Sequence, residues 1–158
     1  MTPVDAQRGL VGRAFDEFSV GDEFWSPGRT VTEADIVAFS AFSADWNPHH
    51  VDQQFAETTA LGQRIAQGAL VVAICSGLVV RTRIFERTII ALLEWNWRFL
   101  HPTLIGSRLQ ARVRVVERIE TSNPKRGIVV FEIAGINERD EEAVVGIWKV
   151  LMLREGGA

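Results

Sequence analysis

The sequence contains a single cysteine, Cys75, and this excludes a disulfide within the chain. Its neighbours are apolar, so we expect a buried, unreactive thiol in a protein of a reducing compartment. The N-terminus lacks the continuous apolar core of a signal peptide. The longest apolar run, ALVVAICSGLVV at 69–80, is shorter than the ~20 residues that a membrane-spanning helix needs. These absences predict a cytoplasmic protein with no membrane partner.

An excess of basic residues is also absent. The chain has 17 lysines and arginines against 20 aspartates and glutamates, which gives a net charge of −3. A protein that binds duplex nucleic acid needs a basic face, so we expect no nucleic-acid partner. The 158 residues suffice for one domain that buries about two thirds of its unfolded surface. No repeat or low-complexity tract divides the chain, and we predict a single domain over residues 1–158.

The first clear helix signal lies in TEADIVAFSAFSAD. Thr32 can cap the amide of Asp35 while the Asp35 carboxylate reaches back, which is the capping-box pattern. Apolar residues then recur at about three-residue spacing and predict one buried face: Ile36, Phe39 and Phe42. The helix should end before Pro48, which cannot continue it, and leave DWNPHH in a turn. A further short helix in VDQQFAETTALG should close at Gly62.

The apolar run at 69–80 is compatible with two kinds of buried element. Its β-branched valines make a buried strand a rival interpretation. We predict a helix, because the run exceeds the usual strand length and shows no alternation. A helix that is apolar on all sides has to be wrapped by other structure.

The second half of the sequence indicates a series of strands. Four apolar or alternating segments follow one another: TIIALLEWNWRF, SRLQARVRVVERI, GIVVFEIAGIN and EAVVGIWKVLML. The last three are separated by short polar turns, which imply antiparallel neighbours. Helices early and antiparallel strands late predict an α+β fold, in which a curved antiparallel sheet wraps around a central apolar helix.

The stretch SADWNPHHVDQ combines two aspartates with two of the three histidines in the chain. Asp45 and His50 lie five residues apart around a proline turn, so they could converge on one water and share proton transfer near neutral pH. The same spacing is common by chance, and Asp45 could equally be a cap or turn residue beside solvated histidines. A metal site at His49, His50 and Asp52 is disfavoured, because adjacent histidines in a turn diverge and a closed site needs about four ligands. We predict no metal.

A longer stretch, DWNPHHVDQQFAETTALGQRIAQGAL, resembles the signature of the MaoC-like dehydratases and (R)-specific enoyl-CoA hydratases, which have the hotdog fold. The positions that match the family pattern are Asp45, Asn47, Pro48, His50, Asp52, Phe55, Ala56, Gly62, Ile65, Ala66 and Gly68. Similar segments continue upstream through VGDEF and RTVTEADIVAF, and downstream through WRFLHPTLIGSRLQARVRV and INERDEEAVVGIWKVLM. The resemblance therefore covers nearly the whole chain.

The resemblance implies an enzyme that adds water reversibly to the double bond of a trans-2-enoyl-CoA and forms a 3-hydroxyacyl-CoA. Asp45 and His50 fall at the positions of the family's catalytic pair, which holds the water. Gly68 falls at the glycine whose backbone N–H binds the thioester oxygen and stabilises the enolate-like charge. Asn47 would orient the loop or the water. The family needs no cofactor beyond the coenzyme A of its substrate, and single-hotdog members form homodimers or higher homo-oligomers by joining sheets edge to edge.

Besides His49, three residues depart from the family pattern. Ala44 replaces a glycine before the aspartate, and Ser107 replaces an aspartate at a turn. Gln67 replaces a histidine before the oxyanion glycine, which makes it a candidate substrate-binding residue that affects substrate preference. His49 occupies a usually aliphatic position, and we assign it no catalytic role.

Other functions stay open from the sequence. Many hotdog acyl-CoA thioesterases carry a catalytic carboxylate on the central helix, and this chain has no acidic residue between Gln67 and Val80. A non-catalytic acyl-CoA-binding module would not need Asp45 and His50 together, and a structural subunit of a complex is a further alternative. Three arginines could contact the CoA phosphates or simply face solvent: Arg81, Arg83 and Arg87. Three tryptophans are expected in the sheet core or an interface: Trp95, Trp97 and Trp148.

Overall fold

A computed structural model describes residues 12–156 and shows an antiparallel sheet packed against a helix. Within these residues the strands are β1 (Glu23–Trp25), β2 (Arg29–Thr30), β3 (Ile89–Phe99), β4 (Arg108–Glu120), β5 (Arg126–Ile136) and β6 (Glu142–Leu153). The helices are α1 (Glu33–Ser43), α2 (Pro48–Val51), α3 (Gln53–Glu57) and α4 (Gly68–Val80), and a 3-10 turn covers Phe15–Glu17. The strand order is β1-β4-β5-β6-β3, with β2 beside β4. The predicted α+β class is confirmed, although the short strands β1 and β2 were not expected.

Helix α1 begins where the capping pattern predicts. The Thr32 hydroxyl accepts a hydrogen bond from the Asp35 amide (3.3 Å), and the Asp35 carboxylate accepts one from the Thr32 amide (2.8 Å). Ile36 and Ser40, one turn apart, form the buried side of the helix. Phe42 is 89% exposed, so the prediction that it belongs to the buried face is wrong. Six residues place it about 120° around the helix from Ile36.

Helix α1 ends at Ser43, before Pro48, as predicted. The prediction that DWNPHH lies in a turn is wrong in its second half, because Pro48, His49 and His50 belong to α2, where proline is tolerated as the first residue. Helix α3 ends at Glu57, well before Gly62. Gly62 has φ +67° and provides a left-handed conformation in the loop that follows, so the predicted helix end at this glycine is not observed.

Helix α4 confirms the helical interpretation of the apolar run. Seven of its residues are buried: Leu70, Val71, Val72, Ile74, Cys75, Leu78 and Val79. The helix approaches β5 so closely that a Cβ on Gly135 would lie 2.7 Å from the Cys75 sulfur. Burial raises the pKa of the Cys75 thiol to about 12, in keeping with the expected unreactive thiol. One flank, at Ala73, Gly77 and Val80, remains exposed, so the sheet of a single chain does not wrap the helix completely.

Strand β4 shows the predicted alternation. Its inward residues are buried in the core: Leu109, Ala111, Val113 and Val115. On the other face, Arg112 forms ion pairs with Glu132 of β5 (3.5 Å) and Glu142 of β6 (2.6 Å). Apolar and charged faces therefore separate cleanly along this strand.

Strand β3 is the open edge of the sheet. Among the described strands it pairs only with β6, where Trp95 lies opposite Trp148. Trp148 is buried and Trp97 packs against the core, whereas Trp95 is 48% exposed. Further large apolar side chains are exposed along the strand: Ile89, Ile90, Leu92, Leu93 and Phe99. Such an edge is suited to pairing with another strand.

None of the helices between residues 12 and 156 has the length and apolar character that a membrane span requires.

Candidate active site

The turn after α1 places Asp45 through a short series of local hydrogen bonds. Ala44 adopts a left-handed conformation (φ 59°, ψ 20°) and ends the helix. The Ser43 hydroxyl accepts a hydrogen bond from the Asp45 amide (3.2 Å), and the Asp45 carboxylate accepts one from the Asn47 amide (3.4 Å). The Asn47 side chain caps α2 by accepting from the His49 amide (3.2 Å). The backbone of the turn is thereby fixed, while the Asp45 side chain stays 43% exposed.

The backbone holds the His50 ring in one orientation. Its Nδ1 lies 2.8 Å from the carbonyl oxygen of Ile65, and the side chain is 13% exposed. A carbonyl oxygen only accepts, so Nδ1 carries the hydrogen of this bond. In the neutral ring, Nε2 therefore keeps a free lone pair.

The free nitrogen of His50 lies near the Asp45 carboxylate. The distance from Nε2 to Oδ2 is 3.8 Å, which is too long for a direct hydrogen bond. In the neutral state of the ring both atoms are acceptors, and one water can donate a hydrogen to each. The structure thus brings together the two residues that the spacing singled out.

His50 lines a cleft of about 290 Å³ at the N-terminal end of α4, together with Gly68, Val71 and Phe99. Gly68 is the first residue of α4, where backbone N–H groups have no partner within the helix. A Cβ at this position would lie 3.0 Å from the Phe99 ring, so glycine permits the close contact. The positive end of the helix dipole favours negative charge in this cleft.

Asp45 is not among the residues that line the cleft, and neither are the remaining candidate residues. The Gln67 side chain is 1% exposed, and its amide nitrogen donates to the Ser40 hydroxyl (2.8 Å) inside the protein. His49 is exposed and packs edge-on against Phe55, with 5.1 Å between ring centroids. Asp52 caps α3 by accepting from the Phe55 amide (3.0 Å). Between residues 12 and 156 there is no group of three or more histidines, cysteines or acidic residues that could hold a metal.

Sequence reasoning missed three groups at this site. The Ile65 carbonyl orients His50, but every residue type has a carbonyl, so the sequence carries no signal for it. Phe99 was predicted only as part of a strand, and its place at the end of β3, where the chain passes the cleft, depends on contacts between distant segments. His101, just after β3, also lines the cleft, and no role was predicted for it.

Comparisons with known proteins identify the family of the chain. The family model described as MaoC like domain matches residues 17–135. The chain belongs to the MaoC-like domain family. An (R)-specific enoyl-CoA hydratase of Rhodospirillum rubrum is 31% identical over 122 residues, which cover 77% of this MaoC-like chain and 80% of the relative. Protein MaoC of Klebsiella aerogenes is 35% identical over 100 residues, 63% of this chain but 29% of that protein, so the chain spans less than a third of that relative.

Solved structures confirm the predicted hotdog fold of this MaoC-like domain. A monoamine oxidase regulatory protein from Archaeoglobus fulgidus matches with a TM-score of 0.84 at 32% identity, over 90% of this chain and 95% of that chain. A Mycobacterium tuberculosis protein with a double hotdog fold matches with a TM-score of 0.77, over 90% of this chain and 44% of that chain. Because its sequence is only 19% identical to this chain, this second match shows a shared fold and nothing more.

Proposed function

We propose that this MaoC-like chain is a hydratase that adds water reversibly to a trans-2-enoyl-CoA and forms a 3-hydroxyacyl-CoA. The observation that carries the proposal is the His50 ring, whose Nδ1 is bound to the Ile65 carbonyl and whose Nε2 faces Asp45. The same cleft contains Gly68 at the start of α4. The named activity of the R. rubrum relative supports this reaction, as does that of a 3-hydroxybutyryl-CoA dehydratase of Methylorubrum extorquens, 28% identical over 134 residues.

Gly68 would stabilise the charge that develops during the reaction. In the proposed complex its N–H donates a hydrogen bond to the thioester oxygen. Addition at Cβ moves electron density onto this oxygen, so the donor and the helix dipole act more strongly on the transition state than on the substrate.

Asp45 and His50 would hold the reacting water from one side of the cleft. As the water oxygen bonds to Cβ, one of the two acceptors takes a proton from it. A proton is then delivered to Cα, and the electron pair of the double bond becomes the new C–H bond. Because one water and one pair of side chains serve both carbons, the addition is syn. Asn47 contributes by holding the turn that carries both groups.

The test is hydration of crotonyl-CoA and of longer and branched enoyl-CoAs, followed by the loss of absorbance of the conjugated thioester. We expect Asp45→Asn and His50→Ala each to lower kcat by at least ~100-fold with the circular dichroism spectrum unchanged. His49→Ala is the matched control, since this neighbouring histidine is exposed and lies outside the cleft. It should retain the activity of the wild type.

The alternatives predict different outcomes in the same assays. Wild-type rates in both site variants would contradict the assignment of Asp45 and His50. Binding of CoA esters without turnover of any enoyl-CoA would favour a non-catalytic module. Release of free thiol from acyl-CoA, detected with a thiol reagent, would favour a thioesterase.

We also propose that two copies of the chain pair through strand β3. Its open edge carries unpaired backbone groups and a row of exposed apolar side chains. Phe99 ends this strand and lines the cleft, so pairing would bring the second copy close to the site.

A further inference from the structure

Gln67 is a buried amide with a specific set of partners. It is the N-cap residue of α4, yet its side chain does not cap that helix. Instead, Nε2 donates to the Ser40 hydroxyl (2.8 Å) and to the Ile36 carbonyl oxygen (3.3 Å). The Ile36 carbonyl can only accept, so the nitrogen of the amide must be the atom that faces α1. Gln67 is 1% exposed, and both partners are fully buried.

Stability alone does not account for a glutamine at this position. Its Oε1 is buried and accepts no hydrogen bond from any residue in the range 12–156. An unpaired buried acceptor destabilises the folded state. A methionine of similar volume would remove this acceptor together with the two hydrogen bonds that Nε2 donates, so the two effects on stability oppose each other. The amide gives no clear gain in stability, and its partners indicate its role.

The partners of Gln67 belong to the helix that leads to Asp45. Ile36 and Ser40 lie on the buried side of α1, and the chain passes from the end of this helix through Ala44 directly to Asp45. A shift of α1 relative to Gln67 would therefore displace the carboxylate.

The backbone around Gln67 carries the other groups of the site. Within residues 65–68, the Ile65 carbonyl orients His50, and Gly68 begins α4 at the cleft. The Ala66 amide donates to the Thr103 carbonyl (2.8 Å), which fixes the segment to another part of the chain that lines the cleft. Gln67 links this segment to α1 by side-chain hydrogen bonds.

We propose that Gln67 is a positioning residue. This proposal rests on the proposed hydration. Its amide sets the distance between the Asp45 carboxylate and the groups carried by residues 65–68, and it does not touch the substrate. A misplacement of about 1 Å in a site of this kind lowers the rate by roughly 100-fold, so one buried cross-link has a large effect.

The test begins with Gln67→Met, which keeps the volume and removes both donated hydrogen bonds. We expect kcat to fall by roughly 10- to 100-fold while KM stays within about 3-fold, because the substrate contacts are unchanged. The melting temperature should change little, because removal of the unpaired acceptor offsets the loss of the two donated hydrogen bonds. Gln67→His should restore most of the lost kcat, because its ring N–H can donate to the same acceptors.

The partner variant Ser40→Ala separates this role from a general packing effect. Ser40→Ala should also lower kcat. The double variant Gln67→Met with Ser40→Ala should lose no more kcat than Gln67→Met alone. A lower melting temperature with unchanged kcat in Gln67→Met would show a purely structural role and overturn the inference. A higher KM at constant kcat would show substrate binding and would overturn it as well.

A second measurement needs no turnover, so it decides the inference even if the proposed hydration fails. Asp45→Asn should shift the NMR resonances of the His50 ring, because the carboxylate lies 3.8 Å from Nε2. In a Gln67→Met background this shift should be clearly smaller, since Asp45 is no longer held in place. A shift of the same size in both backgrounds would refute the positioning role.

Discussion

At the scale of single residues, Ala44 determines how the chain leaves α1 and reaches Asp45. Its φ of 59° lies in the left-handed region, which costs an alanine roughly 1 kcal/mol and costs a glycine far less. The family pattern that this sequence resembles has a glycine here. This chain therefore carries a backbone strain at position 44 that a glycine would remove.

We expect Ala44→Gly to raise the free energy of unfolding by about 0.5–1 kcal/mol, because relief of the left-handed strain exceeds the added entropy of the unfolded chain. Urea denaturation measures the difference. The matched control is Ala38→Gly, an exposed position inside α1, which should lower the same quantity by about 1 kcal/mol. Destabilisation by both substitutions would contradict strain at Ala44.

The sequence allows a prediction for those parts of the candidate site that depend on side-chain type. Asp45, His50 and Gly68 could be proposed because a carboxylate, an imidazole and a missing side chain are visible in a motif, and the structure places His50 near both Asp45 and Gly68. The direction of the Gln67 side chain could not be predicted, because it depends on how α1 packs against α4. Its placement among substrate-binding residues rested on adjacency to Gly68, and the structure turns it away from the cleft.

At the scale of elements, the open edge of β3 leads to a prediction about assembly. Leu93 is 49% exposed on this strand, and Leu93→Asp should convert dimers to monomers by placing a charge in the interface. Val20→Asp is the control, since Val20 is 64% exposed in the loop before β1 and should leave the dimer intact. Size-exclusion chromatography with light scattering gives the masses. A monomeric wild type at micromolar concentration would refute pairing through β3.

The elements that the sequence predicted well are those with local periodicity. Strand β4 alternates between apolar and polar residues and could be recognised without knowledge of its neighbours. Helix α4 was predicted correctly from its lack of alternation, whereas its length carried no information, because β4 also has 13 residues. The edge position of β3 could not be predicted in this way, because strand order is set by pairing between segments far apart in sequence. The outward direction of Phe42 could have been predicted, because helix geometry alone places it about 120° from the buried Ile36.

At the scale of the whole molecule, Arg154 joins the two ends of the described chain. It donates to Asp16 in the 3-10 turn (2.6 Å) and to Glu120 at the end of β4 (2.6 Å). Hydrogen bonding from the Arg154 guanidinium holds the pKa of the Asp16 carboxyl below its usual value of 3.8. The ionised carboxylate is therefore favoured in the folded state.

This linkage predicts how stability depends on acid. The pKa of Asp16 is lower in the folded than in the unfolded state. The contribution of its carboxylate to the stability of the folded state is therefore fully present above about pH 4 and is lost as the pH falls below that value. We expect the melting temperature to fall between pH 5 and pH 3, and to fall less in Arg154→Met. Arg139→Met serves as control, because the pKa of its partner Glu141 is lowered first by a hydrogen bond from Asn137. An equal acid dependence in wild type and Arg154→Met would contradict the role of this pair.

The bond between the His50 ring and the Ile65 carbonyl has a consequence for mutational surveys of this protein. The acceptor is part of the peptide backbone, so every apolar replacement at position 65 that keeps the fold also keeps the acceptor. A scan of substitutions at position 65 would therefore report on the side chain that lines the cleft and not on the acceptor that sets the tautomer of the histidine. An ester in place of the following amide would weaken that carbonyl as an acceptor but would also remove the Ala66 N–H that donates to Thr103. An ester between Thr103 and Leu104, which weakens the acceptor of that second bond, is therefore its control.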